Sequence, residues 1–100
     1  ILALGGDGVI SVVGNALPNE FSRLVEAGLR GDFAEARREH FKLLEFMTQL
    51  FAEGNPGGIK EALSVLGLCG KQMRLPLWNV SEATAKKIYH SMADAEVVKL

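Results

Sequence analysis

The sequence predicts an α/β protein in which one buried strand leads into a mostly helical remainder. Residues 9–13 hold four β-branched apolar side chains around one serine, without the alternation of polar and apolar positions that a half-buried strand shows. A strand that is apolar on both faces is typical of a parallel sheet covered by helices. From residue 19 onward, apolar side chains recur at helical spacing, and no second segment of this strand type occurs.

Length, charge and cysteine content narrow the classes of function. At 100 residues the chain forms one domain at most, and a net charge of -1 provides no basic surface for nucleic acid. No apolar run is long enough to span a bilayer. The single cysteine excludes an internal disulfide framework and favours a cytoplasmic location. Because the chain opens on an apolar helical turn rather than on methionine, we expect it to be a piece of a longer polypeptide.

A glycine turn precedes the predicted strand, and a helix follows it. Residues 1–4 together with Gly5 have the pattern of a last helical turn and its glycine cap. After the strand, Asn15 is a candidate helix cap, and Pro18 suits a first helical turn because its missing N–H group costs little there. The spacing of apolar residues then predicts a helix over residues 19–29 with one buried face.

The longest helix is predicted over residues 32–52. Asp32 can accept a hydrogen bond from the first turn, and Glu35 can reach back to it as in a capping box. The apolar face is centred on one stripe and widened by three more residues. The stripe is Phe33, Ala36, His40, Leu44, Met47 and Phe51, and Leu43, Phe46 and Leu50 widen it. So broad a face predicts a helix packed between two layers.

Two further helices are predicted, over residues 55–67 and 81–93. Asn55 is the candidate cap of the first, and Ser81 is the candidate cap of the second. Residues 68–80 between them are predicted to be extended or irregular, because a proline within this segment forces the residue before it out of helical geometry.

Four segments of the chain carry a resemblance to a known family. They are Gly5-Gly6-Asp7-Gly8-Val9-Ile10-Ser11-Val12, Gly31-Asp32-Phe33-Ala34-Glu35-Ala36-Arg37, Leu50-Phe51-Ala52-Glu53-Gly54-Asn55-Pro56 with Ile59-Lys60-Glu61-Ala62-Leu63, and Arg74-Leu75-Pro76-Leu77 followed by Ser81-Glu82. In this order and spacing they resemble the C-terminal portion of the dihydrodipicolinate synthase (4-hydroxy-tetrahydrodipicolinate synthase) family. The resemblance extends from Leu4 to about Tyr89.

The resemblance implies a parent enzyme with the TIM-barrel fold of class I aldolases. Residues 1–30 would be the end of the barrel, with the last turn of a helix, the final strand and the final barrel helix. Residues 31–100 would be a C-terminal helical extension. Such a parent is a lyase that condenses pyruvate with aspartate semialdehyde through a lysine Schiff base, in lysine and diaminopimelate biosynthesis. The resemblance also implies a cytoplasmic homo-oligomer, with a tetramer favoured.

One position corresponds to a site residue of the family. The family residue that matches Ile10 lines the pyruvate pocket, partly through its backbone carbonyl, so Ile10 is the predicted substrate-binding residue. Without the resemblance, Ile10 has the character of a core residue. No catalytic residue, cofactor site or metal site is predicted in this chain. Its lysines lie on helices, in a loop or in the tail, whereas a Schiff-base lysine needs a desolvated position such as the end of an apolar strand. Alone, the chain is expected to be inactive.

The remaining reactive side chains favour structural roles. His40 lies in an apolar stripe and is expected to be a core or interface histidine, whereas His90 is expected to face solvent. Cys69 is expected to be a small buried side chain. Ser11 has no base nearby in the sequence and lies outside any nucleophile-elbow motif.

Two alternative functions stay open from the sequence. The parent could belong to a sister branch of the family, an N-acetylneuraminate lyase or a keto-deoxy sugar-acid aldolase. The chain could instead be a non-catalytic helical interaction module, which the broad apolar face of residues 32–52 suggests.

Overall fold

Five α-helices and one 3₁₀ turn make up the regular structure of the computed structural model, which describes residues 1–99. They are the 3₁₀ turn Leu2–Leu4, α1 (Val13–Ala16), α2 (Pro18–Leu29), α3 (Phe33–Leu50), α4 (Gly57–Val65) and α5 (Glu82–Asp94). Helices α3 and α4 lie within the predicted ranges 32–52 and 55–67. Helix α5 begins and ends one residue later than the predicted range 81–93. The division at residue 30 into a barrel end and an extension stays a prediction.

The predicted strand over residues 9–13 does not form in this chain. Residues 6–12 have no helical or strand structure, and no strand is present anywhere in residues 1–99. A parallel strand needs neighbouring strands for its backbone hydrogen bonds, and this sequence supplies none. The same apolar residues instead run into α1, whose first residue, Val13, is buried.

Both asparagine caps predicted from the sequence are wrong. Asn15 lies inside α1, because the Ser11 hydroxyl accepts a hydrogen bond from the Gly14 N–H group at 3.3 Å and a helical turn starts earlier than expected. Pro18 is nevertheless the first residue of α2, as predicted. At α4 the residue in the cap position is Pro56 rather than the asparagine before it.

The other two predicted caps are confirmed. The Asp32 carboxylate accepts a hydrogen bond from the Glu35 N–H group at 3.0 Å, and the Ser81 hydroxyl accepts one from Thr84 at 3.3 Å. The reciprocal half of the capping box is not formed, because the Glu35 side chain is engaged in an ion pair with Arg38. These caps set the starting points of α3 and α5.

The apolar core lies where α3 packs against the other helices. It consists of Val13, Ala16, Leu17, Leu43, Phe46, Leu50, Ile59, Ala62, Ile88 and Met92. On α3 the buried apolar residues are therefore those predicted to widen the stripe, while two members of its centre, Phe33 and Phe51, are 45% and 48% exposed. Neighbouring helices cover only one side of α3. The predicted packing between two layers is therefore present on that side and absent on the other.

Two contacts hold the end of α3 against α4 and α5. A Cβ atom added to Gly58 would lie 1.9 Å from the Leu50 carbonyl oxygen, so α4 can approach α3 this closely only with glycine there. On the other side, the Glu53 carboxylate accepts a 2.7 Å hydrogen bond from the Ser81 hydroxyl. Hydrogen bonds with the hydroxyls of Thr84 and Ser81 lower the pKa of Glu53 below its usual range.

Candidate functional site

The predicted pocket residue lies on an exposed segment whose two ends are anchored. Ile10 is fully exposed, so its interpretation as a core residue is wrong for this chain. On one side of the segment, the Gly6 N–H group donates to the Ile1 carbonyl at 3.2 Å. On the other side, Leu17, which follows α1, is fully buried in the core. The segment is thus held at both ends and presents Ile10 to solvent. Its role in binding pyruvate stays a prediction.

An apolar groove adjoins this segment. It encloses about 460 Å³ and includes Val9, the residue before Ile10. Its lining is Ile1, Leu2, Ala3, Val9, Phe21, Leu24, Gly28, Phe33, Ala36, His40 and Met47. Leu2 packs so closely on α2 that a Cβ atom at Gly28 would lie 2.4 Å from the Leu2 Cδ1 atom. We refer to this surface as the apolar groove.

The lysines of the chain lack the environment that a Schiff-base nucleophile requires. Three of them form ion pairs with glutamates: Lys42 with Glu39 at 3.0 Å, Lys71 with Glu61 at 2.8 Å, and Lys86 with Glu82 at 3.0 Å. None of the lysines is buried. Formation of a Schiff base needs a neutral amine, which proteins obtain by desolvating the ammonium group. None of these lysines is therefore a candidate for a Schiff-base nucleophile.

The other reactive side chains are placed as follows. His90 is exposed, as predicted, but Cys69 is also exposed, so its predicted burial is wrong. The physical reason is that the irregular segment containing Cys69 runs outside the core. His40 is exposed as well, and its ring makes an edge-to-face contact with Phe41 at a centroid distance of 5.5 Å. The Tyr89 hydroxyl donates a hydrogen bond to a backbone carbonyl of the tail.

Sequence reasoning missed a buried carboxylate on α3. Glu39 is 4% exposed, and it lies 3.5 Å from Arg23 Nε in addition to its contact with Lys42 Nζ. The hydrogen bond from Lys42 is the main cause that lowers the pKa of Glu39, and burial opposes it. The sequence contains an indication of this burial, because Glu39 precedes the buried Leu43 by one helical turn. Its paired contacts indicate a structural ion pair between α2 and α3.

Neither a membrane span nor a metal centre is found in the described part of the chain. In residues 1–99, no helix combines the length and apolar character needed to cross a membrane. Over the same residues, His, Cys, Asp and Glu side chains form no group of three or more that could hold a metal ion.

Curated relatives match nearly all of this chain, but only part of their own length is involved. The 4-hydroxy-tetrahydrodipicolinate synthase of Phocaeicola vulgatus is 47% identical over 88 residues, which is 88% of this chain and 30% of that protein. The synthase of Methanocaldococcus jannaschii is 43% identical over 98% of this chain and 34% of its own length. The chain thus spans about a third of these relatives and corresponds to their C-terminal portion.

Solved structures share the helix arrangement of this chain over nearly its whole length. The dihydrodipicolinate synthase of Aquifex aeolicus is similar with a TM-score of 0.91 and 39% identity, over 99% of this chain and 34% of that one. The chloride-inhibited synthase of Acinetobacter baumannii, solved with pyruvate, is similar with a TM-score of 0.91 and 31% identity, over 97% of this chain and 33% of that one. A family sequence model, described as the dihydrodipicolinate synthetase family, matches residues 1–95. The chain belongs to the dihydrodipicolinate synthetase family.

Proposed function

We propose that this chain is the C-terminal third of a lyase of the 4-hydroxy-tetrahydrodipicolinate synthase type, in which it forms the end of a TIM barrel and a helical extension. The observation that carries this proposal is the match of nearly the whole chain, in sequence and in helix arrangement, to the C-terminal portion of proteins with that name. The parent condenses pyruvate with aspartate semialdehyde in lysine and diaminopimelate biosynthesis. It acts as a cytoplasmic homo-oligomer, with a tetramer favoured.

The reaction divides between this chain and the upstream part of the parent. A neutral lysine amine attacks the carbonyl carbon of pyruvate, and loss of water leaves a Schiff base. The lysines of this chain are solvent-accessible or bound to glutamates, so the upstream part supplies the nucleophile. This chain contributes binding rather than covalent chemistry.

Ile10 forms one wall of the pyruvate pocket in the proposed parent. In TIM barrels the active site lies at the C-terminal ends of the strands. Residues 9–13 gain strand neighbours once the barrel is complete, which brings Ile10 to that end with its backbone carbonyl available to the substrate. Its exposure here, on a segment held at both ends, supports this role.

A chimera tests the function. The chimera joins the upstream two thirds of the Methanocaldococcus jannaschii synthase to Ile1 of this chain. We expect it to consume pyruvate in the presence of aspartate semialdehyde, while the 100-residue chain alone has no activity. A folded chimera that is inactive with pyruvate and aspartate semialdehyde would contradict the proposed lyase function.

A further inference from the structure

The exposed segment before α1 contains an Asp-Gly pair. Asp7 is followed by Gly8, and it is the only aspartate or asparagine of the chain that has glycine as its next residue. Both residues are exposed and lie outside the helices. The pair ends two residues before Ile10, so a change in its backbone acts directly on the segment that presents Ile10 to solvent.

The backbone at this pair is unrestrained in the described part of the chain. Within residues 1–99, neither the Asp7 carboxylate nor the Gly8 N–H group has a hydrogen-bond partner, and Asp7 forms no ion pair. The nearest hydrogen bonds on either side are those of Gly6 with Ile1 and of the Ser11 hydroxyl. A Cβ atom added to Gly8 would meet nothing within 4 Å, so the space around the pair is open.

An aspartate in this setting can react with the backbone that follows it. The Gly8 nitrogen attacks Cγ of the protonated Asp7 carboxyl, a C–N bond forms, and the carboxyl hydroxyl leaves as water with the amide proton. The product is a five-membered succinimide ring. Ring closure requires backbone rotations that a side chain on the next residue obstructs, whereas glycine, which has no Cβ, permits them.

Water then opens the ring at one of its two carbonyl carbons. Addition at Cγ restores aspartate. Addition at the backbone carbonyl carbon of Asp7 breaks the bond from that carbon to nitrogen and leaves the chain linked through Cβ and Cγ. This second product is isoaspartate, in which the former backbone carbonyl carbon is a carboxylate. The water lost in the first step is regained, so the rearrangement needs no oxidant, reductant or other co-reactant.

We propose that Asp7 is a site of spontaneous modification, at which the Asp7-Gly8 linkage rearranges to isoaspartate in the folded chain. The inference concerns this chain itself and does not rest on the proposed lyase function. The rearrangement adds one backbone atom to a segment that is held at Gly6 and at the buried Leu17, so it displaces the exposed residues between them.

Ageing of the 100-residue chain at neutral pH and physiological temperature tests the proposal. Peptide mapping locates isoaspartate, and labelling by an isoaspartate-specific methyltransferase measures its amount. The internal controls are Asp32, whose carboxylate accepts a hydrogen bond from Glu35, and Asp94, after which the next N–H group donates to the Ser91 carbonyl. We expect accumulation at Asp7 to be severalfold faster than at either control. Equal accumulation at all three aspartates, or none at Asp7, would overturn the proposal.

Three substitutions test the chemistry at the pair. Gly8→Ala adds a side chain where there is space for it, and Asp7→Glu keeps the carboxylate but would need a six-membered ring. We expect both to reduce methyl labelling severalfold. Asp7→Asn should accelerate it, because ammonia leaves in place of water. Labelling that is as strong in the Gly8→Ala and Asp7→Glu variants as in the unmodified chain would place the reaction at another residue, against the proposal.

A peptide of residues 4–12 tests whether the fold leaves the pair unrestrained. The peptide has the same local sequence but lacks the helices that anchor the segment in the chain. We expect isoaspartate to form at Asp7 of the intact chain at a rate within severalfold of that in the peptide. A lower rate than this in the intact chain would show that the fold restrains the pair, and would overturn the proposal.

Discussion

At position 10, an isoleucine side chain is fully in contact with solvent although it lies in a mostly apolar stretch of the sequence. Exposed side chains contribute little to folding, so Ile10→Ala should change the free energy of unfolding of the 100-residue chain by less than about 0.5 kcal/mol. In the chimera, where Ile10 forms part of the pyruvate pocket, the same substitution should raise KM for pyruvate. Chemical denaturation and steady-state kinetics measure the two effects.

Leu68→Ala serves as the control for Ile10. Leu68 is 67% exposed and lies far along the chain from the pocket segment, so both quantities should stay unchanged. A KM for pyruvate that is the same in the Ile10→Ala and unmodified chimeras would contradict the assigned role.

The buried carboxylate on α3 makes stability depend on pH. Contacts with Lys42 and Arg23 hold the pKa of Glu39 below its ordinary value of 4.5. The stabilisation is therefore fully present above about pH 4.5 and is lost as pH falls through the folded-state pKa. Glu39→Gln should cost about 1 kcal/mol at neutral pH, since both cationic partners are largely exposed, and should flatten the loss of stability in acid.

Glu26→Gln is the control for this pH dependence, because Glu26 is exposed on α2. Denaturation midpoints of the three proteins between neutral pH and about pH 3 provide the comparison. An acid-induced loss of stability that is equally steep in the Glu39→Gln variant and in the unmodified chain would show that this carboxylate is not responsible.

Among the elements, α3 depends on the cap at its first turn. Asp32→Ala removes the acceptor for the Glu35 N–H group and should lower the free energy of unfolding by about 1 kcal/mol. Asp7→Ala, in a segment outside the helices, should leave it unchanged. Equal effects of the two substitutions in thermal or chemical unfolding would refute the importance of the cap.

The contact between α3 and α4 tolerates no side chain at its closest point. Gly58→Ala would place a methyl group against the Leu50 carbonyl oxygen, and backbone on both sides would have to move. We expect a loss of about 1–3 kcal/mol in the free energy of unfolding. Gly8→Ala, where an added Cβ meets nothing within 4 Å, is the matched control. A Gly58→Ala variant as stable as the control would contradict the close packing of the two helices.

Local chemistry explains which elements could be predicted from the sequence. The caps at Asp32 and Ser81 use hydrogen bonds that span three residues, so the sequence contains both partners. The strand over residues 9–13 could not form, because its partners are missing from the chain. The exposure of Phe33 could not be predicted either, since helical spacing identifies an apolar face but not which part of it the neighbours cover.

The candidate site could not be predicted from the types of its residues alone. Without the resemblance to a family, the type of residue at position 10 indicates only core packing, and the structure places that side chain in solvent. The position of Glu39 one turn before Leu43 places it on the buried face of α3, although a periodicity of apolar residues does not identify a buried glutamate. The exposure of Cys69 shows that an apolar loop does not by itself indicate burial.

At the scale of the whole molecule, the chain has a core of its own and an apolar surface that the core leaves open. Its helices are arranged as in synthases three times as long, and its lysines are unsuited to form the Schiff base. We therefore propose that this chain forms one wall of the pyruvate pocket, whereas the nucleophilic lysine lies in the upstream part of the parent.

Borohydride trapping with pyruvate, followed by peptide mapping of the chimera, tests this claim most directly. Reduction converts the Schiff base into a stable amine on the lysine that formed it. We expect one modified lysine, located in the upstream part, and no adduct on the 100-residue chain alone. An adduct on any lysine of this chain, or no adduct on a folded chimera, would contradict it.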